Sequence, residues 1–399
     1  MVLVFWAPLF LLGGSLCWRL LALSAALPPD LREGSNDLEI YRRTGEALLR
    51  GEIPYRDFFL EYPPGSLPAF VPPALLSSDT AGYISVFSSQ MALVLVATLL
   101  LTALSARWTG GPWAWVTPAA TLAAGAVLLY PVALTRYDAI VALSLAVAAF
   151  CATLGPRYLV LAYASLGLGA AAKLVPALAT LPLATLRRGA ARGYVAFFAV
   201  LAIFFVPALL LGGGSFAGSF AYHADRGLQV ESLMASVLMT LGRVGGVVFE
   251  SGAFEAQGRG VCLASFLSLP VTGALLLVTA SLMYRAYRRG RVGNRAFPRY
   301  AAALILAFML GSKVFSPQYV IWLLPLVPLS AGGASGLVLS AVFLAACLTT
   351  TLVFPIHYDD LLNLRFPGPH LLLARNLLLS LLWVWLLFLP DDAPEKGTA

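Results

Sequence analysis

Residues 82–105 read GYISVFSSQMALVLVATLLLTALS and contain no charged side chain. An α-helix needs about 20 predominantly apolar residues to cross the hydrocarbon core of a bilayer. The rest of the chain shares this character, because 60% of its 399 residues are hydrophobic and 11% are charged. A soluble domain carries about 25% charged residues. The composition therefore excludes a soluble protein and predicts an all-α polytopic membrane protein.

The distribution of charge predicts how the chain is oriented in the membrane. Residues 284–299, YRAYRRGRVGNRAFPR, hold six arginines and no acid, whereas eight of the 19 acids fall between Pro28 and Pro64. Basic loops are retained on the cytoplasmic side, where anionic lipids attract them. The net charge of +7 thus indicates orientation rather than nucleic-acid binding. Sixteen of the 19 acids then map to the outside of a plasma-membrane protein.

The apolar runs predict a bundle of about 11–12 transmembrane helices in a single membrane-embedded domain, residues 1–389. Both termini are expected in the cytoplasm, with a tail at 390–399, a basic loop at 285–299, and long external loops at 28–81 and 212–261. The start of the chain lacks the basic region of a signal peptide, so the first helix is expected to be retained, although residues 22–26, ALSAA, are also compatible with cleavage. The predicted spans are 2–27, 82–105, 112–131, 138–154, two short helices within 157–188, 193–211, 262–284, 300–312, 318–331, 333–354 and 371–389. The two short helices are expected to meet near Lys173 and Pro176, where the proline marks a bend.

Interfacial helices are predicted in the first external loop. Residues 35–51, SNDLEIYRRTGEALLRG, begin with a capping box of Asn36 and Glu39 and have an apolar face suited to the membrane surface. Residues 66–77 are apolar but too short and too rich in proline to span, so they predict a second such helix. Between them, the prolines of 53–65, IPYRDFFLEYPPG, favour an extended loop.

Asp37 lies in the first turn of the first interfacial helix, and Tyr41 follows one turn later on the same face. The position alone supports two interpretations. An acid in the first turn stabilises a helix through its dipole, which needs no further role. The same carboxylate, held outside the membrane beside apolar spans, is also suited to catalysis.

Other charged residues fall at the predicted outer ends of spans, namely Arg136, Asp138, Lys173 and Lys313. Charges at membrane level are costly and usually face a cavity or one another, although either lysine taken alone could also snorkel to the interface. The loop HADRGLQVES adds His223, Arg226 and Glu231 to this side. The histidines show no spacing typical of metal ligands. No metal and no cofactor is predicted.

Five segments, in this order, resemble membrane-embedded glycosyltransferases of the GT-C type. They are NDL (36–38), GEALLRGEIPYRDFFLEYPPG (45–65), AAKLVPALATLPL (171–183), YHADRGLQVESL (222–233) and SKVFSPQYVIWLLPL (312–326). More narrowly, the chain is similar to glycosyltransferase family 87, the polyprenol-phosphate-mannose-dependent α-mannosyltransferases. The resemblance implies a GT-C-like bundle, a polyprenyl-phosphate sugar donor, and inversion at the anomeric carbon. It also implies an extracytoplasmic glycolipid or glycan acceptor.

The resemblance places the family's loop carboxylate at Asp37, as the general base that deprotonates the acceptor hydroxyl. An inverting transfer needs no second carboxylate as nucleophile. The leaving lipid phosphate departs as an anion, so cations are expected to hold it. The predicted substrate-binding residues are Tyr41, Glu61, Tyr62, Arg136, Asp138, Lys173, His223, Arg226, Glu231, Lys313, Gln318 and Tyr319.

Two alternatives to mannosyl transfer stay open at this stage. A pentosyl or glucosyl transferase of the same fold would use the same residues and differ only in the donor sugar. A transporter or flippase of envelope precursors would have similar hydropathy, but transporters commonly show two related halves. The sequence shows no such repeat, and its charges lie at the ends of spans.

Overall fold

The computed structural model describes residues 2–27, 36–185, 190–250, 252–290 and 292–389. The predicted tail 390–399 and the start of the first external loop, 28–35, lie outside the described residues. The side chains of Asn36, the predicted helix cap, and of His223 also lie outside them. Helices account for most of the described chain.

Long and short helices alternate along the sequence. The helices of the first half are α1 (Val2–Ala25), α2 (Asn36–Leu49), α3 (Leu67–Leu76), α4 (Thr80–Gly110), α5 (Val116–Leu128), α6 (Tyr130–Ala133), α7 (Asp138–Leu154) and α8 (Leu159–Ala172). Those of the second half are α9 (Thr180–Thr185), α10 (Ala190–Asp225), α11 (Leu233–Thr240), α12 (Val261–Arg288), α13 (Ala296–Gly311), α14 (Gly333–Thr351), α15 (Tyr358–Leu362) and α16 (Gly368–Phe388).

Among the described residues, six helices are long and apolar enough to cross a membrane, and they correspond to α1, α4, α10, α12, α14 and α16. Shorter apolar helices represent the remaining predicted spans, including α5, α7 and α13. A short helix can be accommodated within a bundle when longer neighbours enclose it. The chain is therefore a multi-pass membrane protein, as its composition predicts.

Helix α13 forms the centre of the bundle. All of its residues except Phe308 are buried, as expected for a helix that is apolar on every face. Near its start, Arg299 donates from Nε to the carbonyl oxygen of Leu386 (2.6 Å) and from a terminal nitrogen to that of Leu387 (3.1 Å). These carbonyls belong to the last turn of α16, where no helical donor is left to satisfy them. The arginine thus ties the two helices together.

The structure confirms the predicted break near Lys173. Helix α8 ends at Ala172, Lys173 adopts an extended conformation with φ −159°, and Pro176 follows in the 3-10 turn Val175–Ala179. The predicted span 318–331 is not a regular α-helix. It forms the 3-10 turns Pro317–Leu323 and Val327–Leu329 instead, because its prolines lack the N–H donors that an α-helix needs.

The second long loop differs from its prediction in two ways. Helix α10 continues beyond residue 211 to Asp225, with a kink at Gly213, where φ is 52°. Within this mainly helical chain, the glycine-rich part 243–261, predicted only as an external loop, contains strands β1 (Val244–Glu250) and β2 (Ala253–Gly258). They pair antiparallel, with Val247 opposite Ala256. Valine and phenylalanine favour strands, and the glycines had concealed this signal.

Helices α12 and α13 give the bundle two chemically different ends. The arginines of 285–299 lie where α12 ends and α13 begins. The opposite ends of the two helices lead to the β1–β2 hairpin and to the loop 312–316. Because α12 has 28 residues, these ends are separated by about 42 Å along its axis. The arginine-rich connection and the β1–β2 hairpin therefore occupy opposite ends of this helix pair.

Candidate active site

A cavity of about 820 Å³ lies where loops from both halves of the chain meet. Ten of the predicted site residues line it: Asp37, Glu61, Tyr62, Arg136, Lys173, Arg226, Glu231, Lys313, Gln318 and Tyr319. Gly65 brings the first loop close to the end of α8, because a Cβ atom there would collide with the backbone of Ala171. This close approach places Glu61 and Tyr62 beside Lys173.

The Asp37 carboxylate is held from two sides at the start of α2. Its Oδ2 lies 2.7 Å from a terminal nitrogen of Arg136, and its Oδ1 accepts a hydrogen bond of 2.5 Å from the Tyr62 hydroxyl. The side chain is still 30% exposed. Each carboxylate oxygen has a second lone pair, so the group can accept another hydrogen bond from the cavity. Asp37 is thus both oriented and accessible.

Tyr41 does not reach the cavity, contrary to the prediction that it binds substrate. Its side chain is 1% exposed and stacks on Phe70 with 4.4 Å between ring centroids. Tyr62 and Tyr137 pack edge-on against it. Burial and the nearby charge of Asp37 raise the pKa of Tyr62 well above its usual value. Tyr62 therefore keeps its proton and donates to Asp37, while Tyr41 supports it from behind.

Lys173 projects from the break after α8 into a ring of aromatic side chains. Its Nζ lies 4.9 Å from the ring centroid of Tyr319, 5.2 Å from that of Trp322 and 5.4 Å from that of Tyr137. Aromatic faces attract cations within about 6 Å. The rings fix the position of the ammonium group at the cavity wall without neutralising its charge.

Asp138 was predicted to contact substrate, but it lies behind Lys173 and does not line the cavity. The residue is 0% exposed. Its Oδ1 accepts hydrogen bonds from Lys173 Nζ (2.8 Å) and from Trp322 Nε1 (2.7 Å). A buried carboxylate needs such partners to offset its desolvation. We therefore assign Asp138 a positioning role for Lys173 and not a substrate contact.

An ion pair joins the first and second long loops across the cavity. A terminal nitrogen of Arg226 lies 3.0 Å from Glu61 Oε2, and both side chains are largely buried. Burial raises the pKa of Glu61, although the positive charge of Arg226 opposes this shift. The pair fixes the loop that follows α10 against the loop that precedes α3.

Glu231 borders the cavity, but its carboxylate is bound to a residue that the sequence reasoning missed. Its Oε2 lies 2.8 Å from Arg375, and neither side chain is more than 1% exposed. Arg375 also donates to the backbone oxygen of Glu231 at 2.6 Å. The charged residue in the apolar run LLLARNLLL could have predicted such a pair, because charges within a membrane usually form ion pairs. The geometry favours a structural role for Glu231 over the predicted contact with substrate.

Lys313, Gln318 and Tyr319 come from the segment between α13 and the first 3-10 turn that follows it. The carbonyl oxygen of Lys313 accepts a hydrogen bond of 3.0 Å from the backbone of Gln229. Tyr319 stacks on Trp322 at 4.2 Å between ring centroids. This segment therefore connects the lysine side of the cavity with the loop after α10.

Several lining residues were not predicted. The hairpin, the loop after α10 and the segments around α14 contribute Gln229, Phe249, Phe254, Ser316, Trp322, Phe354 and Tyr358. Gln229 fell within the segment 222–233, and Ser316 and Trp322 fell within the segment 312–326, both of them among the five segments that resemble GT-C glycosyltransferases. The aromatic residues carry no charge, so their types alone gave no signal among so many apolar neighbours.

The chemistry of the lining suits an anionic ligand. Four basic and three acidic residues line the cavity. The carboxylates of Asp37 and Glu61 are paired with arginines of the lining, Arg136 and Arg226. Lys173 and Lys313 are the lysines of this set. Among the described residues, no group of three or more His, Cys, Asp or Glu side chains is arranged to hold a metal ion.

Comparison with known families agrees with this geometry. The profile of glycosyltransferase family 87 matches residues 59–317, which include Glu61, Tyr62, Arg136, Lys173 and Arg226. The chain belongs to glycosyltransferase family 87. It is therefore a membrane glycosyltransferase. The match begins after Asp37, so the family profile itself says nothing about that carboxylate. No curated protein sequence gives a significant match.

Solved structures resemble this chain in fold. ArnT from Cupriavidus metallidurans bound to undecaprenyl phosphate is 15% identical, with a TM-score of 0.51 over 95% of this chain and 77% of ArnT. Its apo state gives a TM-score of 0.51 at 14% identity, over 96% of this chain and 76% of ArnT. The oligosaccharyltransferase from Archaeoglobus fulgidus is 14% identical over 97% of this chain and 56% of that enzyme, with a TM-score of 0.45. The likeness to ArnT supports a GT-C fold.

Proposed function

We propose that this glycosyltransferase moves a mannosyl residue from a polyprenyl-phosphate donor to a hydroxyl of a glycolipid or glycan. The observation that carries the proposal is the joint position of Asp37, Lys173 and Lys313 around one cavity at the end of a membrane bundle. A similar fold, that of ArnT, was solved with undecaprenyl phosphate, which supports a lipid-phosphate donor. The mannosyl specificity rests on the resemblance of the sequence motifs described above.

The proposed reaction is a single displacement. Asp37 takes the proton of the acceptor hydroxyl as the acceptor oxygen forms a bond to the anomeric carbon. The bond between that carbon and the phosphate oxygen breaks with inversion, and the electron pair leaves with the polyprenyl phosphate. Arg136 and Tyr62 hold the carboxylate in place, which reduces the entropic cost of reaching the reactive geometry.

The cations have a separate task in this mechanism. Negative charge develops on the phosphate as the glycosidic bond breaks, and fixed positive charge stabilises it most effectively in a poorly hydrated site. Lys173 is held for this purpose by Asp138 and three aromatic rings. Lys313 lies in the same cavity lining. The prenyl chain can remain in the bilayer while its phosphate reaches these lysines.

We further propose that the cavity opens on the extracytoplasmic side of the plasma membrane and that both termini are cytoplasmic. The separation of the six arginines from the acidic loops supports this orientation. Labelling of cysteines introduced at exposed positions tests it. With the native cysteines, including the exposed Cys262, replaced by serine, a reagent that does not cross membranes should label Glu52→Cys in intact cells but not Arg289→Cys. The reverse pattern would refute the orientation.

A transfer assay tests the function itself. Purified protein in lipid nanodiscs is incubated with radiolabelled decaprenyl-phosphate-mannose, or with the corresponding glucosyl and pentosyl lipids, and with octyl α-mannopyranoside as acceptor. We expect transfer from the mannosyl lipid, loss of transfer in Asp37→Asn, and retention in the matched control Asp359→Asn, whose side chain is exposed. Transfer by Asp37→Asn at the wild-type rate would refute its role as base. A preference for another donor would refute the mannosyl assignment.

A further inference from the structure

Gln229 occupies a fixed position in the cavity wall. It lies in the loop between α10 and α11, is 7% exposed and lines the cavity. Its backbone N–H donates to the carbonyl oxygen of Lys313 at 3.0 Å, and the residue forms an isolated antiparallel bridge with Glu255 of β2. The backbone is therefore held between the hairpin on one side and the loop after α13 on the other.

The side chain of Gln229 is satisfied at one end only. Its Nε2 donates to Ser316 Oγ at 3.3 Å, which sets the direction of the carboxamide. Its Oε1 is buried and accepts no hydrogen bond within the described part of the chain. Buried polar atoms are nearly always paired, so an exception in a cavity wall calls for an explanation. A bound ligand that donates a hydrogen bond would supply the missing partner.

The chemistry of this atom restricts what the ligand group can be. An amide oxygen is an acceptor without charge, so it cannot bind the oxygens of an ionised phosphate. The carboxylates of the lining differ from this oxygen in two ways. They are charged, and those of Asp37, Glu61 and Glu231 each form an ion pair with an arginine. Gln229 Oε1 is thus a neutral acceptor in the cavity lining, and it matches a hydroxyl group.

We propose that Gln229 is a specificity residue that accepts a hydrogen bond from one hydroxyl of a bound sugar. This inference rests on the proposed function, which places a sugar in the cavity. The hydroxyl belongs either to the transferred sugar of the donor or to the sugar of the acceptor, and the two sources share the same chemistry. A site that binds a hydroxyl in this way discriminates against an analogue that lacks it, because the buried acceptor is then left unpaired.

The donor arm of the test compares two lipids with the same prenyl chain, one that ends in a free phosphate and one whose phosphate carries the mannosyl residue. The dissociation constants of decaprenyl phosphate and decaprenyl-phosphate-mannose are measured in nanodiscs. The constant for decaprenyl phosphate divided by the constant for decaprenyl-phosphate-mannose reports the contribution of the sugar to binding. Gln229→Met removes the acceptor, whereas Gln229→Glu retains an oxygen at the same chain length. The matched control is Gln257→Met, the same substitution at an exposed position of β2.

The acceptor arm uses octyl α-mannopyranoside and its monodeoxy analogues in the transfer assay.

If Gln229 contacts the donor sugar, Gln229→Met should reduce the ratio of the two lipid constants about 3- to 10-fold, as expected for one hydrogen bond between uncharged groups. If it contacts the acceptor, the same variant should raise the KM for octyl mannoside by that factor and leave the lipid ratio unchanged. In either case Gln229→Glu should retain more of the discrimination than Gln229→Met. In the acceptor case, the KM for the deoxy analogue that lacks the bound hydroxyl should not change on substitution.

The outcomes separate this inference from the proposed function. Wild-type protein that neither binds decaprenyl-phosphate-mannose nor transfers mannose would refute the proposed function. If the wild-type protein transfers mannose, and the lipid ratio and the acceptor KM of Gln229→Met both lie within twofold of the wild-type values, the inference alone is refuted. An equal loss of affinity for decaprenyl phosphate, which has no sugar hydroxyl, would also refute it. A loss in Gln229→Glu as large as in Gln229→Met would show that the acceptor oxygen is not the cause.

Discussion

The buried carboxylate of Asp138 holds the ammonium group of Lys173 at the wall of the cavity, with 2.8 Å between Asp138 Oδ1 and Lys173 Nζ. The acid begins α7 and the lysine follows α8, so one ion pair connects two neighbouring helices. Trp322, from the other half of the chain, donates to the same oxygen. The position of the lysine is thus set by three segments that are distant in sequence.

Replacing Asp138 by asparagine should weaken both the fold and donor binding. The substitution preserves the shape but removes the negative charge, and a hydrogen bond to a charged group contributes about 1.5–3 kcal/mol. We expect a loss of this order in the free energy of unfolding and a higher KM for the lipid donor. Thermal unfolding and transfer kinetics measure the two effects. Asp359→Asn is the exposed control, and equal behaviour of both variants would contradict a positioning role for Asp138.

Removing the Tyr62 hydroxyl should slow catalysis without weakening donor binding. Tyr62→Phe deletes one of the two bonds that orient Asp37, and loss of about 1.5–3 kcal/mol corresponds to a decrease in kcat of roughly 10- to 100-fold. The donor KM should change little, since the lysines are untouched. Tyr284→Phe, at an exposed position of α12, should behave as wild type. A rise in donor KM at constant kcat would place Tyr62 in donor binding instead.

Glu61 should make the stability of the protein depend on pH. Its pKa is raised in the folded state, chiefly by burial, so folding favours the protonated form. Its contribution to stability is therefore complete below the ordinary pKa of a glutamate and is lost as pH rises through the raised value. Glu61→Gln removes this dependence, so the variant should gain stability relative to wild type as pH increases from about 4 to 7.

Thermal unfolding of both proteins across this pH range measures the difference. Glu52→Gln is the matched control, because the Glu52 side chain is 38% exposed and pairs with Arg50 at the surface. A free energy of unfolding of Glu61→Gln that falls relative to that of wild type as pH rises would contradict the sign predicted here.

Breaking the buried pair of Glu231 and Arg375 should be strongly destabilising. Arg375→Met leaves a buried carboxylate without its charged partner, which typically costs about 3–5 kcal/mol of unfolding free energy. The double variant Glu231→Gln, Arg375→Met should recover part of this loss because no buried charge remains. Thermal unfolding in detergent provides the measurement, with Arg365→Met as the exposed control. A double variant less stable than Arg375→Met would argue that the arginine alone stabilises the structure.

Much of the architecture follows from local chemistry that the sequence displays. Apolar runs of helical length, bounded by arginine, predict the long helices such as α4 and α12. The lysine and proline near residues 173 and 176 predict the break after α8, since proline interrupts a helix wherever it falls. The β1–β2 hairpin was missed because its glycines weakened a strand pattern that pairing between the two strands stabilises.

Charged residues made much of the site accessible to prediction. A charge at membrane level is costly unless it faces a cavity or an opposite charge. Charged residues among apolar neighbours are therefore conspicuous in the sequence, as are Asp37, Arg136, Lys173 and Lys313. Tyr41 and Asp138 have equally polar side chains, yet packing turns them away from the cavity. Sequence spacing places a residue on a helix face, but it does not say which neighbour covers that face.

The sequence by itself determined that the chain crosses the membrane repeatedly, which loops are acidic or basic, and which charged groups are available for catalysis. The tertiary structure decided how those charges are paired. Asp37 meets Arg136, Glu61 meets Arg226, and Glu231 meets Arg375. The physical reason is that hydropathy is a property of each segment taken alone. An ion pair depends on distances between segments that only the packing of the whole bundle fixes.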